Sequence, residues 1–394
     1  MTNQGKNNKS NKLSSRQRVW KALNHQEPDR IPIDFGGQHT SIHHDGHRVL
    51  KKYLGLEDGN DAPIIDQFQM IVDPDERIKN LFGCDVTSFF ANPGSNWRLK
   101  IDPETDIWSD EWGTSYRRPK NGYWYDYYSF PFKNGTLQEL NEYNWPDPYD
   151  KNRVRGLRDK ASDLYNNTDK ALLIHNATGG LFETSAGLRG LENLLIDMAA
   201  NIDFVDNLAE RILEFQLGFW DNILSAIGDL VQVVQIGDDL GSMESLIFSP
   251  GIYRKIYKHR RKKLIEFIHS KTEAKVYFHT CGAMRELIPD LIEEGVQILN
   301  PVQVSAKNMD SASLKKEFGK DIVFWGGGAD ASKIMTFADL NGIEEEVKKR
   351  IHDFAPGGGF VFASIHNIQP NVPPQNIVAM FKAAQQYGKY PIVV

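Results

Sequence analysis

Short runs of apolar, β-favouring residues recur along the chain, and a stretch with helical periodicity follows most of them. The runs are apolar at successive positions more often than at alternate ones, which is typical of parallel strands covered on both faces. The eight runs are residues 31–35 (IPIDF), 85–90 (DVTSFF), 171–177 (ALLIHNA), 231–237 (VQVVQIG), 275–279 (KVYFH), 296–302 (VQILNPV), 322–327 (IVFWGG) and 359–364 (GFVFAS). The pattern therefore predicts eight parallel strands.

Amphipathic segments with recognisable start and stop signals lie between the later runs. One opens at Ser249-Pro250, a second runs from Met284 to Glu294 and stops at Gly295, a third covers 343–354, and a fourth starts at Pro373. Alternation of strands and helices indicates βαβ units. Eight such units in one chain predict an α/β fold of the closed (β/α)₈ barrel type, and not an open doubly wound sheet.

The regular spacing breaks once, between the second and third strands, at residues 91–170. Within this stretch, residues 97–101, 108–119 and 122–132 are dense in Trp and Tyr and predict antiparallel β-hairpins. Loops that follow barrel strands lie on the catalytic face, so the insertion fits an aromatic wall over the barrel mouth. A structural flap packed on the barrel is the alternative.

Composition and charge narrow the class of protein. The formal net charge of −6 argues against a nucleic-acid-binding face, which needs clustered Lys and Arg. The two cysteines, Cys84 and Cys281, cannot form a disulfide scaffold, and a cytoplasmic protein is expected. No window reaches the roughly eighteen apolar residues needed to cross a membrane. Residues 1–15 are expected to be a disordered polar tail, followed by a single barrel domain over residues 16–394.

Polar residues concentrate where the predicted strands end, which is where a barrel of this type carries its catalytic groups. The candidates for a catalytic role are His175, Asn176, Asp239 and Gln303. The candidates for substrate binding are Asp34, His39 and Asn367.

His279 and Cys281 form the sharpest pair among these polar residues. Side chains at positions i and i+2 of a strand point to the same side, so an imidazole and a thiol would meet at one point. This donor set suits Zn²⁺, and His366 at the eighth strand could reach the same centre across the barrel. Asp239 fits a fourth ligand or a base, and equally fits a helix N-cap. Core packing, or a nucleophilic Cys with a His base, is the alternative for the pair.

Five motifs resemble those of the uroporphyrinogen decarboxylase superfamily, both in their residues and in their order along the chain. They are residues 16–37 (RQRVWKALNHQEPDRIPIDFGG), 237–257 (GDDLGSMESLIFSPGIYRKIY), 277–303 (YFHTCGAMRELIPDLIEEGVQILNPVQ), 318–330 (FGKDIVFWGGGAD) and 360–381 (FVFASIHNIQPNVPPQNIVAMF). The resemblance covers most of the chain after residue 15, and it implies a distorted (β/α)₈ barrel.

Two branches of that superfamily differ in their chemistry. The decarboxylases use no metal and hold substrate carboxylates with arginines in an N-terminal loop, whereas residues 33–44 here (IDFGGQHTSIHH) contain no arginine. The corrinoid-dependent methyltransferases hold zinc with His-x-Cys and a later Cys. They include methylcobamide:coenzyme M methyltransferases and components of methoxyarene O-demethylase systems. His279 and Cys281 match the first pair, and His366 stands near the position of the later Cys.

The second branch implies a zinc enzyme that moves a methyl group between a corrinoid and either a methoxylated substrate, aromatic or not, or a thiol. The corrinoid would be supplied by a separate corrinoid-binding protein, because the chain has no DxHxxG-type motif of its own. The alternatives are a metal-free lyase acting on a carboxylated substrate and a barrel that only binds its ligand. The direction of methyl transfer and assembly as a homodimer stay open.

Overall fold

The computed structural model describes residues 13–176, 179–331 and 333–392. Ala177 and Thr178, which belong to the predicted end of the third strand, lie outside the described residues. The strands within these ranges are β1 (Ile42–His43), β2 (Ile64–Asp66), β3 (Ile71–Val72), β4 (Val86–Phe90), β5 (Ile107–Ser109), β6 (Ser115–Arg117), β7 (Asp126–Ser129), β8 (Ala171–His175), β9 (Val233–Gly237), β10 (Lys275–His279), β11 (Ile298–Asn300), β12 (Val323–Trp325) and β13 (Phe360–Val361).

The helices surround these strands, and a π-helical segment (Arg254–Lys258) joins the ninth helix to the tenth. A 3₁₀ turn (Arg285–Leu287) precedes the eleventh. The α-helices are α1 (Ser15–Leu23), α2 (His44–Tyr53), α3 (Glu76–Leu81), α4 (Leu137–Glu142), α5 (Leu157–Asn167), α6 (Leu181–Arg189), α7 (Leu191–Ala200), α8 (Ile202–Ile227), α9 (Pro250–Tyr253), α10 (His259–Lys271), α11 (Ile288–Glu294), α12 (Ser311–Phe318), α13 (Ile334–Phe337), α14 (Leu340–Phe354) and α15 (Pro374–Tyr387).

Seven strands form one parallel sheet in the order β13-β12-β11-β10-β9-β8-β4. The first predicted strand is irregular and connects the two edges of this sheet. The Asp34 N–H donates to Phe362 O at 2.9 Å, and the Asp85 N–H donates to Ile33 O at 2.7 Å. Pro32 in this segment has no N–H to donate, which limits regular strand pairing. The result is the α/β TIM-type barrel that the strand count predicts.

Apolar side chains fill both sides of the sheet. The barrel interior contains Leu173, Tyr277 and Trp325, and helix α1 closes its lower end through Val19 and Leu23. A larger apolar layer lies between the sheet and the outer helices. Because alternate residues of a strand point to opposite faces, the residues two positions after Leu173 and Tyr277 also point inward.

Helix α1 begins at Ser15, and the Ser14 side chain accepts a hydrogen bond from the Gln17 N–H in a capping box. The helix therefore includes Ser15, the last residue of the predicted tail. Residues 1–12 lie outside the described residues.

Between β4 and β8, strands β5, β6 and β7 form a three-stranded antiparallel sheet. Trp108, Tyr116 and Tyr125 form its apolar cluster, and the Trp108 and Tyr116 rings stack with centroids 4.5 Å apart. None of the helices in the described part of the chain combines the length and apolarity needed to cross a bilayer.

Candidate functional site

A cavity of about 620 Å³ opens at the carboxyl ends of the barrel strands. Phe90, Gly237 and His279, the last residues of β4, β9 and β10, line its floor. The antiparallel sheet contributes the aromatic wall through Trp108 and Tyr116. The insertion is thus part of the mouth of the barrel and borders the polar residues at its floor.

His279 is buried at the end of β10, and its ring is held in one orientation by Asn300. The His279 Nδ1 to Asn300 Oδ1 distance is 2.6 Å, so Nδ1 carries the proton, because an amide oxygen can only accept. The free Nε2 then lies 3.6 Å from Cys281 Sγ and 3.7 Å from Asp239 Oδ1. The imidazole lone pair of His279, the thiol of Cys281 and the carboxylate of Asp239 therefore lie close together at the end of β10.

The turn that carries Cys281 is shaped by two polar side chains from neighbouring loops. The Cys281 N–H donates to Asp239 Oδ1 at 2.8 Å, and the Gly282 N–H donates to Gln303 Oε1 at 2.8 Å. Gly282 has a φ of +92°, and a Cβ there would lie 2.4 Å from the backbone carbon of Gly241. The interpretation of Asp239 as a helix N-cap is wrong, because Ser249 caps the following helix.

Burial and the charge of Asp239 raise the pKa of the Cys281 thiol well above its usual value. The thiol is therefore protonated at neutral pH in the absence of a cation. A metal ion would have to displace that proton, since the thiolate is the ligand form.

His39 and His366 complete a second group around His279. The His39 ring stacks on His279 with centroids 3.6 Å apart, and the His366 ring centroid lies 5.2 Å from that of His279. Two sets of potential ligand atoms each lie within 4.8 Å of one another: His39, His279 and His366, and Asp239, His279 and Cys281. Both sets contain His279. Sequence reasoning expected His279, Cys281 and His366 together, whereas the structure pairs Cys281 with Asp239 and brings His39 beside His366.

The imidazoles of this region are neutral. Burial lowers the pKa of His175 to about 3 and that of His366 to about 4, and it lowers the pKa of His39 well below its usual value. The His39 Nδ1 has no hydrogen-bond partner among the described residues. A neutral ring with an unpartnered nitrogen is the form that binds a metal.

His175 ends β8, and Asn176 follows it directly. The Gln38 N–H donates to His175 Nε2 at 3.3 Å, and Gln235 Oε1 is 3.3 Å from His175 Nδ1. Asn176 lines the cavity, and its Nδ2 donates to Gly179 O at 2.6 Å. Internal hydrogen bonds therefore engage both residues, and their catalytic role stays a prediction.

Five predicted site residues are not among the described residues that line the cavity: Asp34, His175, Cys281, Gln303 and Asn367. Asp34 is buried and accepts hydrogen bonds from Thr40 Oγ1 at 2.8 Å and Trp325 Nε1 at 2.9 Å. Burial raises the pKa of Asp34 to about 6. The prediction that Asp34 binds substrate is therefore corrected. Its carboxylate is buried and hydrogen-bonded inside the barrel, so Asp34 has an internal structural role.

Asn367 supports the loop that carries His39 instead of facing a ligand. Its Oδ1 accepts from the Ser41 N–H at 2.9 Å, and its Nδ2 donates to Gln38 O at 2.8 Å. Gln303 likewise holds the backbone turn at Gly282, because its Oε1 accepts the hydrogen bond from the Gly282 N–H. Both are positioning residues, and strand-end location alone could not distinguish that role from ligand contact.

Acidic residues that sequence reasoning did not single out also line the cavity: Asp66, Asp110 and Glu183. Glu183 lies in the first turn of α6, and burial together with Asp239 and Asp238 raises its pKa well above the usual value. Asp66 ends β2, and Asp110 lies in the insertion between β5 and β6. The sequence contains no motif that would have marked these two.

The donor set fits a zinc ion. Thiolate, imidazole and carboxylate are the ligands that Zn²⁺ takes in proteins, and catalytic sites use three protein ligands. The Asn300 contact to His279 Nδ1 is the outer hydrogen bond that zinc-binding histidines ordinarily make. His279, Cys281 and Asp239 could therefore hold a zinc ion without rearrangement of the barrel.

Structural comparison shows the fold of a methyltransferase from Methanosarcina mazei. It is 15% identical, with a TM-score of 0.64 over 95% of this chain and 99% of that one. A β-glycosidase from Thermosphaera aggregans is 9% identical, with a TM-score of 0.46 over 92% of this chain and 98% of that chain. No curated protein sequence matches the chain. The pattern of the family described as Uroporphyrinogen decarboxylase (URO-D) matches residues 130–387, more than half of the chain. The chain therefore belongs to the uroporphyrinogen decarboxylase family.

Proposed function

We propose that this protein is a zinc-dependent methyltransferase that exchanges a methyl group between a methoxylated aromatic compound or a thiol and a corrinoid carried by a separate protein. The observation that carries the proposal is the convergence of His279 Nε2, Cys281 Sγ and Asp239 Oδ1 within 4.8 Å of one another, beside an aromatic-walled cavity. The methyltransferase of Methanosarcina mazei with the same fold supports this choice within the family.

In the proposed site, zinc would be held by His279, Cys281 and Asp239, with His366 and His39 close to His279. When bound, zinc supplies Lewis-acid polarisation of an ether oxygen, or stabilises a thiolate. Asn300 keeps the proton of His279 on Nδ1, so that Nε2 stays available as a ligand. Without this contact the other tautomer would also be populated.

The aromatic wall would orient the substrate and exclude water. Trp108 and Tyr116 line the cavity and are less than one tenth exposed, so a bound arene would meet two rigid, apolar faces. Stacking against such rings is favourable for an aromatic ring of the substrate. Methyl transfer needs the methyl carbon to face the approaching corrinoid, and a fixed ring plane limits the orientations of the ether.

The charges in the cavity disfavour the alternative of a metal-free lyase for a polyanionic tetrapyrrole. Arg153 is the one cationic side chain of Lys or Arg type among the described residues that line the cavity, and its guanidinium is bound to Glu111 at 3.1 and 3.2 Å. Asp34, which could have stabilised a pyrrole-like cation, is bonded to Trp325 and Thr40. A substrate with several carboxylates would lack anchoring partners.

Metal analysis of purified protein tests the zinc site. We expect about one zinc per chain in the wild type and loss of most of it in Cys281→Ala, because the thiolate is the softest ligand of the set. Cys84→Ala is the matched control: Cys84 is the other cysteine of the chain, is buried, and lies against Phe35. This control should retain its zinc.

Transfer of a methyl group is tested with a methoxybenzene, reduced cobalamin and the zinc-loaded protein, with methylcobalamin formation followed by absorbance. A protein that is free of zinc and transfers methyl groups as fast as the loaded form would contradict the proposal. So would equal zinc contents in Cys281→Ala and the wild type.

A further inference from the structure

The cavity carries an excess of negative charge that the proposed metal would not neutralise. Five carboxylates line it: Asp66, Asp110, Glu111, Glu183 and Asp239. Glu111 is paired with Arg153. If Asp239 and Cys281 bind zinc, their two negative charges balance the ion. Asp66, Asp110 and Glu183 then remain, and none of them makes an ion pair with a described residue. Glu183 adds no charge at neutral pH, because burial together with Asp239 and Asp238 raises its pKa well above the usual value, so the excess charge comes from Asp66 and Asp110.

Asp66 and Asp110 receive hydrogen bonds from neutral groups. Asp110 accepts from the Tyr116 hydroxyl at 2.8 Å and from the backbone N–H of Trp112 at 2.9 Å. Asp66 accepts from the Gln69 N–H at 2.9 Å. These contacts hold the carboxylates in place without cancelling their charge.

Tyr127 shows that the carboxylates surround one region of the cavity. Its ring lines the cavity, and burial together with the nearby carboxyl groups of Glu183, Asp110, Asp239 and Asp66 raises the pKa of its hydroxyl. The Tyr116 ring lies beside it, with centroids 5.3 Å apart. Aromatic faces among carboxylates form a surface that attracts cations, through both the ring quadrupoles and the charges.

The indole of Trp108 gives an independent indication of a ligand. Trp108 lines the cavity and is 8% exposed. Its Nε1–H has no hydrogen-bond partner among the described residues. A buried donor without a partner costs free energy that a ligand oxygen would recover. An ether or hydroxyl oxygen next to an aromatic ring meets this requirement.

We infer that the substrate of this cavity is a methoxylated aromatic compound with a cationic ammonium substituent, and that the cavity discriminates against carboxylated methoxyarenes. This inference rests on the proposed function for the methoxy group. The charge preference follows separately from Asp66 and Asp110.

Binding of three matched probes tests the inference. They are 4-methoxybenzylamine, 4-methoxybenzyl alcohol and 4-methoxybenzoate, which share the ring and the methoxy group and differ in charge. Titration near pH 7.5, followed by calorimetry, should give the order amine, alcohol, benzoate. The amine should bind at least about tenfold more tightly than the benzoate. Added salt should reduce that ratio.

Two variants test whether the cavity carboxylates cause the preference for the amine over the benzoate. Asp66→Asn and Asp110→Asn keep the side-chain shape, and the amide oxygen can still accept a hydrogen bond. Each should lower the ratio of amine to benzoate affinity by about threefold or more. The control is Glu266→Gln, whose side chain is 66% exposed on α10 and which should leave the ratio unchanged.

The wild-type titration decides the inference even if a variant is unstable. Equal affinities, tighter binding of the benzoate, or no binding of any probe would each overturn it. A preference for the amine in a protein that contains no zinc and transfers no methyl group would support the charge inference while contradicting the proposed function. Efficient methyl transfer from 4-methoxybenzoate with tighter binding of that anion would support the proposed function while contradicting the charge inference.

Discussion

At the scale of single residues, the site depends on which nitrogen of His279 carries the proton. The Asn300 side chain is fully buried, and its Oδ1 lies 2.6 Å from His279 Nδ1 while its Nδ2 donates to Trp325 O at 2.9 Å. The second bond fixes which end of the amide faces the imidazole. A backbone carbonyl on β12 therefore determines the tautomer of a residue on β10.

Asn300→Ala removes this orientation, and we expect zinc affinity to fall about 10- to 100-fold. The measurement is competition with a chromophoric chelator. Asn376→Ala is the control, because Asn376 is also buried and donates to two backbone carbonyls, those of Met335 and Ala338. That variant should lose stability while keeping its zinc affinity; an equal loss of affinity in both variants would refute a specific role for Asn300.

At the scale of secondary-structure elements, a buried charge network fixes helix α6 to the barrel. No side chain of the α6 N-cap residue, Gly180, is available for capping. Asp238, just after β9, instead accepts from the N–H groups of Leu181, Phe182 and Glu183 at 2.8–3.1 Å. Arg261 on α10 donates to the same carboxylate at 2.6 Å. The network thereby positions Glu183 in the cavity.

Arg261→Ala should destabilise the protein by roughly 3–5 kcal/mol, because it leaves the buried Asp238 without its cation. Urea unfolding monitored by circular dichroism measures the change. Arg254→Ala is the matched control. The Arg254 side chain is 53% exposed, and without it Asp290 still has its ion pair with Lys258 at 2.7 Å. Its cost should stay below about 1 kcal/mol. Similar costs for the two arginines would be the contrary result.

At the scale of the whole molecule, buried titratable groups make the stability depend on pH in two opposing ways. Burial lowers the pKa of His175 to about 3 and that of His47 to about 4, so the unfolded chain binds more protons than the folded one as pH falls below 6.5. These histidines contribute stability above pH 6.5 that is lost on acidification. Raised pKa values of about 6 for Asp34 and about 7 for Glu294 act in the opposite direction.

The contribution of one histidine is isolated by comparison with His175→Gln in metal-free protein. As the pH is lowered from 6 to 4, the free energy of unfolding of the variant should rise relative to that of the wild type by about 1.4 kcal/mol per pH unit. The reason is that the variant has no imidazole at this position that must take up a proton on unfolding. Urea titrations at pH 7, 6, 5 and 4 give the difference directly. A stability difference that is constant across this range would mean that His175 does not titrate on unfolding.

The sequence determined the strand and helix pattern of this protein by itself. Consecutive apolar residues identified the seven regular parallel strands, and proline, serine and glycine signals located α9, α11 and α15. The i, i+2 spacing also brought His279 and Cys281 together. These features are local: they follow from backbone geometry over a few residues, so periodicity and cap residues are enough to reveal them.

Only the tertiary structure decided which distant groups meet at the cavity. It turned Asp34 toward Trp325, brought His39 onto His279, and set Asp239 beside Cys281. Such contacts depend on the path of irregular loops. They also depend on which of several nearby partners each buried polar group forms a hydrogen bond with. Strand-end position limits each side chain to one rim of the barrel. Which side chains touch is decided by packing across the barrel, which no local pattern encodes.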